Sequence, residues 1–245
     1  CVGDRDRGRE EVDPLRGCAC GVLRLGTLSV TASVPRAITQ LRRQVPGARV
    51  QVHEGRVRDL VQRLLDGELD AVFGAVTPEL LTSELLPLLR PELLLAGEFC
   101  VVCAPAHQLA RRPRLTWADL SGQAWVAPPK DTLVRQALMT AFLNEGLQPP
   151  EPAVEVLSSV TVGSLLRLDP ALLGAVRLEH AQDELARGGM RRLPVSPGVP
   201  LPSLGLYTRQ SAGTAPPLVQ AFADALRRFG NPARGGRQQA GPATC

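Results

Sequence analysis

Apolar positions along the chain switch repeatedly between a period near two and one near three and a half. Val22, Leu23 and Leu25 open a short strand-like run ending at Gly26, and Val34, Ala37, Ile38, Leu41 and Val45 then recur at helical spacing until Pro46-Gly47 stops them. Residues 48–54 alternate as a second strand. Val57, Leu60, Val61, Leu64 and Leu65 form a second helical stripe closed by Gly67, and residues 69–75 read as an apolar third strand. The predicted order is β-α-β-α-β, a layered α/β unit.

The same order returns further on. Residues 123–127 are a strand candidate, and Asp131 or Thr132 caps a helix carrying Val134, Ala137, Leu138 and Ala141, closed by Gly146. Residues 153–157 form the next strand, Ser158 or Ser159 caps a short helix through Leu165 and Leu166, residues 172–176 are a strand and 178–186 a helix. Two further strand-like segments, 99–103 between the units and 204–208 after the second, carry the chain across and back. The last helix, 216–229, puts Leu218, Phe222, Ala225, Leu226 and Phe229 on one face. The expected division is residues 22–98 plus 204–230 as lobe I and 99–203 as lobe II. Residues 1–20, charged and aperiodic, read as a linker remnant, and the Gly-, Pro- and Arg-rich residues 231–245 as a disordered tail. Two Rossmann-like α/β lobes joined by two crossing strands make a hinged clamp. Its ligand belongs at the carboxyl ends of the strands, where helix N-termini point inward.

Composition narrows the function more than the fold. With 245 residues, 44% of them apolar, and a mean hydropathy of +0.01, the chain can bury a sizeable core. Its 28 basic and 24 acidic residues are interspersed and only 3% of residues are aromatic, which argues against an extended nucleic-acid surface. The most apolar stretch, residues 80–104, is interrupted by Glu84, Arg90, Glu92 and Glu98, so it does not span a bilayer as one helix, and a soluble protein is expected. Six cysteines, at 1, 18, 20, 100, 103 and 245, lie in a chain large enough to fold without staples, so no disulfide framework is expected. A start at Cys1 with no signal peptide reads as a fragment or a processed form.

Candidate binding chemistry concentrates at helix starts. The turn after the first strand, with Thr27, Ser29, Val30, Thr31 and Ser33, sets hydroxyls and free amides at a helix N-terminus, which suits a carboxylate or phosphate; ordinary N-capping is the plainer alternative. Ser158, Ser159, Val160 and Thr161 open another such helix in the second unit, and Arg56 follows the second strand, where a charge-assisted contact or a solvated arginine are both open. Cys100 and Cys103, with Cys18 and Cys20, superficially resemble a zinc set. On a strand, however, the sulfurs of Cys100 and Cys103 point to opposite faces, and the apolar flanks favour buried, inert thiols. His53, His107 and His180 are isolated, and no HExxH, GxSxG or GxGxxG is present in a fitting context. No catalytic set assembles, so neither an enzyme nor a metal or cofactor is expected.

The series of motifs resembles a known family. Gly21-Val-Leu-Arg-Leu-Gly26, Gln44-Val-Pro46, Val50-Gln-Val-His-Glu-Gly55 and Leu64-Leu-Asp-Gly-Glu-Leu-Asp-Ala-Val-Phe73 are similar to the effector-binding domain of LysR-type transcriptional regulators. In the second lobe, Cys103-Ala-Pro-Ala-His-Gln-Leu109, Leu115-Thr-Trp-Ala-Asp-Leu120, Trp125-Val-Ala-Pro-Pro129 and residues 158–166 continue the likeness, which runs collinearly from Val22 to Phe229. The resemblance implies a periplasmic-binding-protein-like (type 2) clamp that takes a small, often anionic metabolite, such as a carboxylate, between its lobes. It also implies a cytoplasmic homodimer or tetramer that meets DNA only through a winged helix-turn-helix outside this sequence, with no membrane partner. The family's ligand contacts map onto Ser29, Val30 and Thr31, Arg56, Cys103 on the crossing strand, Ser158, Ser159 and Val160, and Val176. Arg56 stands where Thr or Ser is common, which favours an anionic effector, and Asp169-Pro170 replaces a usual small, Gly-containing segment. In the implied dimer, residues 34–45 and 48–54 of one copy meet 132–145 and 153–157 of the other, and Leu133, Met139 and Phe142 would widen the apolar face. The alternative is a solute-binding protein of a transport system with the same clamp, for which Cys1 and a polar linker would suit a mature lipoprotein. The matching residues follow the regulator pattern, and unpaired cysteines fit a reducing compartment better.

Overall fold

The computed structural model describes residues 21–28, 33–210 and 215–229. Lobe I opens with β1 (Val22–Thr27), α1 (Ser33–Gln44), β2 (Arg49–Glu54), α2 (Val57–Leu65) and β3 (Ala71–Ala75). β1 pairs in parallel with both β2 and β3, as βαβ crossovers require. Leu60, Val61 and Leu64 are the buried stripe of α2, which ends where Gly67, at φ 82, turns the chain in a conformation that costs other residues a steric penalty. Asp70 fixes the entry to β3 by accepting from the Arg24 backbone N–H at 2.8 Å and from its guanidinium at 2.8 Å.

A short helix α3 (Pro78–Leu81), capped by Thr77, and a 3-10 turn at Leu86–Leu88 lead into β4 (Leu89–Cys103), whose 15 residues run from lobe I into lobe II. Lobe II contains β5 (Leu115–Thr116), a 3-10 turn at Ala118–Leu120, β6 (Ala124–Ala127), α4 (Leu133–Asn144), β7 (Val154–Glu155), α5 (Ser159–Leu168), β8 (Leu172–Arg177), α6 (Leu178–Ala186), β9 (Arg191–Arg192) and β10 (Val195–Ser196). The chain returns through β11 (Pro200–Arg209) and ends its described part in α7 (Pro217–Phe229). β11 pairs antiparallel with β4 and β3, and the strands follow the order β2-β1-β3-β11-β4-β8-β6-β7, with β9 beside β4. One sheet path therefore runs through both lobes, and the hinge is the β4/β11 ribbon. Its register slips between Leu201 and Leu204 and again before Gly205.

Each lobe has a core on both sheet faces. In lobe I, Leu23 and Leu25 pack with α1 and α7, including Phe222 and Leu226, while α2 covers Val72 and Tyr207. In lobe II, Trp117 and Trp125 meet Phe142 edge-on, at centroid separations of 5.6 and 6.1 Å, and α5 and α6 cover the opposite face.

The fold differs from the sequence reading in identifiable places. The strand expected at 99–103 is the end of the much longer β4, whose lobe I half is an edge paired only with β11, so its side chains show no clean alternation. The strand expected at 153–157 shrinks to two residues because Pro149, Pro150 and Pro152 precede it and the cap Ser158 follows. Thr132 rather than Asp131 caps α4, accepting from the Arg135 N–H at 3.3 Å. Phe142, expected to widen an exposed face, is 1% exposed and belongs to the core, because it falls on the same helical stripe as Leu138 and Ala141. The linker remnant, the tail and the Ser29 to Thr31 turn lie outside the described residues.

Candidate functional site

The carboxyl ends of β1 and β2 in lobe I and of β6, β7 and β8 in lobe II feed the starts of α1, α2, α4, α5 and α6. Contacts of Ser33 with Glu179 and of Arg56 with Asp131 bring the positive ends of α1 and α6, and the start of α2 and the approach to α4, together where the lobes meet. Hydroxyl side chains cap two of the helix starts in lobe II. Thr132 caps α4, and Ser158 caps α5 by accepting from the Thr161 N–H at 3.4 Å.

Among the described residues, three side-chain contacts join the walls. Arg56, the residue before α2, forms an ion pair with Asp131 of lobe II, and both side chains are largely exposed. Arg36 of α1 donates to Asp183 of α6 at 2.7 Å. Between α1 and α6 the contact is buried: Glu179 Oε1 accepts from the Ser33 hydroxyl at 2.6 Å and from the Ser33 backbone N–H at 3.2 Å. Beside it, Arg177 donates to the Pro202 carbonyl of β11 at 2.9 Å, and His180 Nε2 lies 3.1 Å from Glu179 Oε2. Burial dominates the titration of this cluster. It draws the Arg177 guanidinium down to about 10 against the pull of Glu179, and holds His180, with Arg177 adding to the effect, at about 4. It also lifts the Glu179 carboxyl, although the Ser33 bonds and Arg177 oppose it.

The residues singled out from the sequence are distributed unevenly. Arg56 is paired rather than free, Ser158 and Val160 are exposed at the head of α5, and the Ser159 hydroxyl is buried with no hydrogen-bond partner among the described residues. Cys103 and Val176 are both buried in the lobe II cores. Cys103 is 0% exposed in the core with Phe99 and Val101, whereas Val176 is 4% exposed in the opposite core with Cys100 and Val102, so strand alternation turns them to different sheet faces. The same burial pushes the Cys100 thiol up to about 12 and that of Cys103 to about 11. A separate depression of about 400 Å³, lined by Pro105, Leu185, Met190 and Arg191 among others, lies at the C-terminal end of α6, the end away from the cleft.

The sequence offers Ser33 only as a hydroxyl at a helix start and Asp131 only as a helix cap, and it does not single out Arg177 or Glu179. The readable signal was Arg177-Leu-Glu179-His180, a charged group directly after the apolar strand 172–176 and hence at the cleft end of the sheet.

Residues 17–230 match the family model described as the LysR substrate binding domain, and the chain belongs to that family. It is the effector-binding regulatory domain of a LysR-type transcriptional regulator, with the type 2 periplasmic-binding-protein-like fold, in a family of regulators rather than enzymes. The resemblance read from its motifs is thereby borne out. Among curated relatives, it is 30% identical over 216 residues to the HTH-type transcriptional regulator GalR of Pseudomonas putida, covering 87% of this chain and 53% of that protein. It is 30% identical over 161 residues to GbpR of Azospirillum brasilense, covering 64% of this chain and 46% of that one. The chain thus spans about half the length of these relatives. Similar solved folds include the reduced OxyR regulatory domain of Pseudomonas aeruginosa, with TM-score 0.67, 20% identity, and 86% of this chain and 99% of that one covered. Another is the CcmR regulatory domain of Synechocystis in complex with 2-PG, with TM-score 0.66, 16% identity and coverages of 86% and 98%.

Proposed function

We propose that this domain senses a small carboxylate-bearing metabolite in the interlobe cleft. Binding controls how the full-length protein, through a helix-turn-helix segment outside this sequence, holds DNA in the cytoplasm as a homodimer or tetramer. The carrying observation is that helix starts from both lobes come together where the lobes meet, α1 with α6 through Ser33 and Glu179, and α2 with the approach to α4 through Arg56 and Asp131. An exposed ion pair of this kind contributes at most about 1 kcal/mol, so an incoming carboxylate can take Asp131's place on the guanidinium at small cost. The solved relative that holds 2-PG supports a small effector as the ligand. Ser29, Val30, Thr31, Ser158, Ser159 and Val160 are the other proposed contacts. Cys103 and Val176 enter only as part of the scaffold behind them.

A thermal-shift screen of organic acids tests this reading. A ligand at about 100 times Kd should stabilise the domain by about 2.7 kcal/mol. Arg56→Ala should weaken the response, and undiminished affinity in that variant would remove Arg56 from the site. For assembly, the pairing of α1 and β2 with α4 and β7 of a second copy draws on Leu143, which is 59% exposed, and on the half-buried Met139. Sedimentation should report a dimer near twice 26.2 kDa, and a monomer with and without ligand would refute the pairing.

A further inference from the structure

The buried contact between α1 and α6 has an unusual geometry for a clamp. Ser33 is the first residue of α1 and Glu179 the second of α6, so a single carboxylate lies at the heads of two helices, one from each lobe. Both heads carry the positive end of a helix dipole, and free N–H groups at such ends hold anions well. Oε1 takes both donors of Ser33, the hydroxyl at 2.6 Å and the backbone N–H at 3.2 Å, while Oε2 lies 3.1 Å from His180 Nε2. Ser33 is 4% exposed and Glu179 6% exposed. One turn further along each helix, Arg36 and Asp183 pair at 2.7 Å, and just before α6, Arg177 ties the same corner to the hinge strand at the Pro202 carbonyl.

We propose that Glu179 is a built-in occupant of the anion site between the heads of α1 and α6, a strap that holds the lobes together before any effector arrives. The inference rests on the clamp reading but not on the chemistry of the effector. In a clamp whose helix heads face each other across a cleft, an anion bound between them draws the walls together. Here that anion is covalently part of lobe II, so closure at this corner is intramolecular and independent of ligand concentration. An effector's own anionic group is consequently directed elsewhere, toward the heads of α4 and α5 and toward Arg56, unless it displaces Glu179. Glu179 is a positioning residue in this scheme, because it acts by fixing α1 relative to α6.

The test is chemical rescue. Glu179→Ala should lower Tm by roughly 5–10 °C. Sodium acetate, which supplies the missing carboxylate, should restore part of that loss in a saturable way, while sodium chloride at equal ionic strength and pH should not. Wild-type protein should gain nothing specific from acetate, and Ser33→Ala added to Glu179→Ala should abolish the recovery. A merely structural role would give the loss of Tm without acetate-specific recovery, and that result, or an equal acetate shift in the wild type, would overturn the proposal. Should the alanine variant not fold, Glu179→Gln keeps an acceptor for Ser33 but drops the charge. Hydrogen exchange at the heads of both α1 and α6 should then quicken, and unchanged exchange at both would overturn the strap. Rescue by acetate requires no effector, so a silent organic-acid screen would count against the proposed function and leave this result standing.

Discussion

Gly97 lies where the two hinge strands pass closest. A Cβ placed there would sit 2.2 Å from the Pro202 carbonyl oxygen, 2.4 Å from that of Leu201 and 2.6 Å from Arg177 Nη1. Two of these neighbours are backbone of the opposing strand, so Gly97→Ala cannot be absorbed by a side-chain rotation, and the ribbon has to open by ~1 Å. Overpacking of this kind costs ~1–3 kcal/mol. The same methyl group displaces the buried Arg177 guanidinium from the Pro202 carbonyl, adding ~1–3 kcal/mol for a charged donor left without its acceptor. A total of about 2–6 kcal/mol is a large part of the roughly 5–15 kcal/mol that holds a domain folded. Urea unfolding followed by circular dichroism measures it. Gly198→Ala is the control, because nothing lies within 4 Å of its added Cβ, and it should stay within about 0.5 kcal/mol of wild type. A Gly97→Ala protein within about 1 kcal/mol of wild type would refute the claim that the hinge ribbon is closed to a single methyl group.

Other expectations follow from the same geometry. Arg56→Ala and Asp131→Ala, which break an exposed ion pair, should each change the urea-derived stability by less than about 1 kcal/mol, and a larger loss would mean that the cleft mouth is a structural lock. His180 is held at about 4, below its ordinary 6.5, so the unfolded chain binds the proton more readily. Stability associated with His180 is therefore present above about pH 6.5 and lost as pH falls toward 4, by up to about 3 kcal/mol. The raised carboxyl of Glu179 works in the opposite direction, giving stability at low pH that is lost as pH rises through its own folded value, so the test is a difference. Urea midpoints of wild type and His180→Gln should diverge between pH 4 and 7, and parallel curves would remove His180 as the cause. Iodoacetamide at pH 8 should leave Cys100 and Cys103 unlabelled in the native domain and label both in urea, as read by peptide mass mapping; native labelling would contradict their burial. The domain by itself, with a net charge of +4 spread among both signs, should give no sequence-selective shift of duplex DNA at physiological salt.

What the sequence made legible was whatever depends on local period and punctuation. The stripe from Val57 to Leu65 and its stop at Gly67 were readable because helix periodicity and a left-handed glycine are local properties. Lobe II's α6, residues 178–186, was likewise placed at its observed bounds. Of β4 only the last five residues are legible, because just that part is buried on both faces by α5, α6 and the aromatic core, while Pro91 and Glu92 are half-buried and Leu93 is exposed. At the site, the capping hydroxyls of Thr132 and Ser158 were visible as N-cap signals. The contacts across the cleft were not: Arg56 with Asp131 is separated by 75 positions and Ser33 with Glu179 by 146, and no period or motif encodes a meeting between such distant residues. The burial of Cys103 and Val176 on different sheet faces is not legible either, because a crossing strand near a cleft does not itself show which face each side chain takes.

The crossing ribbon also divides the chain unequally in time. One lobe I core joins Leu23 and Phe73 to Leu206 and Phe222, residues from the two ends of the described chain, whereas the two lobe II cores draw only on residues 99–201. Closing lobe I therefore carries the entropy of a loop spanning the whole of its neighbour, and closing lobe II does not. During synthesis, the β1 to β3 layer emerges first but lacks β11 and α7, which cover and pair with it. Lobe II, inserted between the two halves of lobe I, completes its own cores earlier, and lobe I, begun first, is the last part of the domain to finish folding.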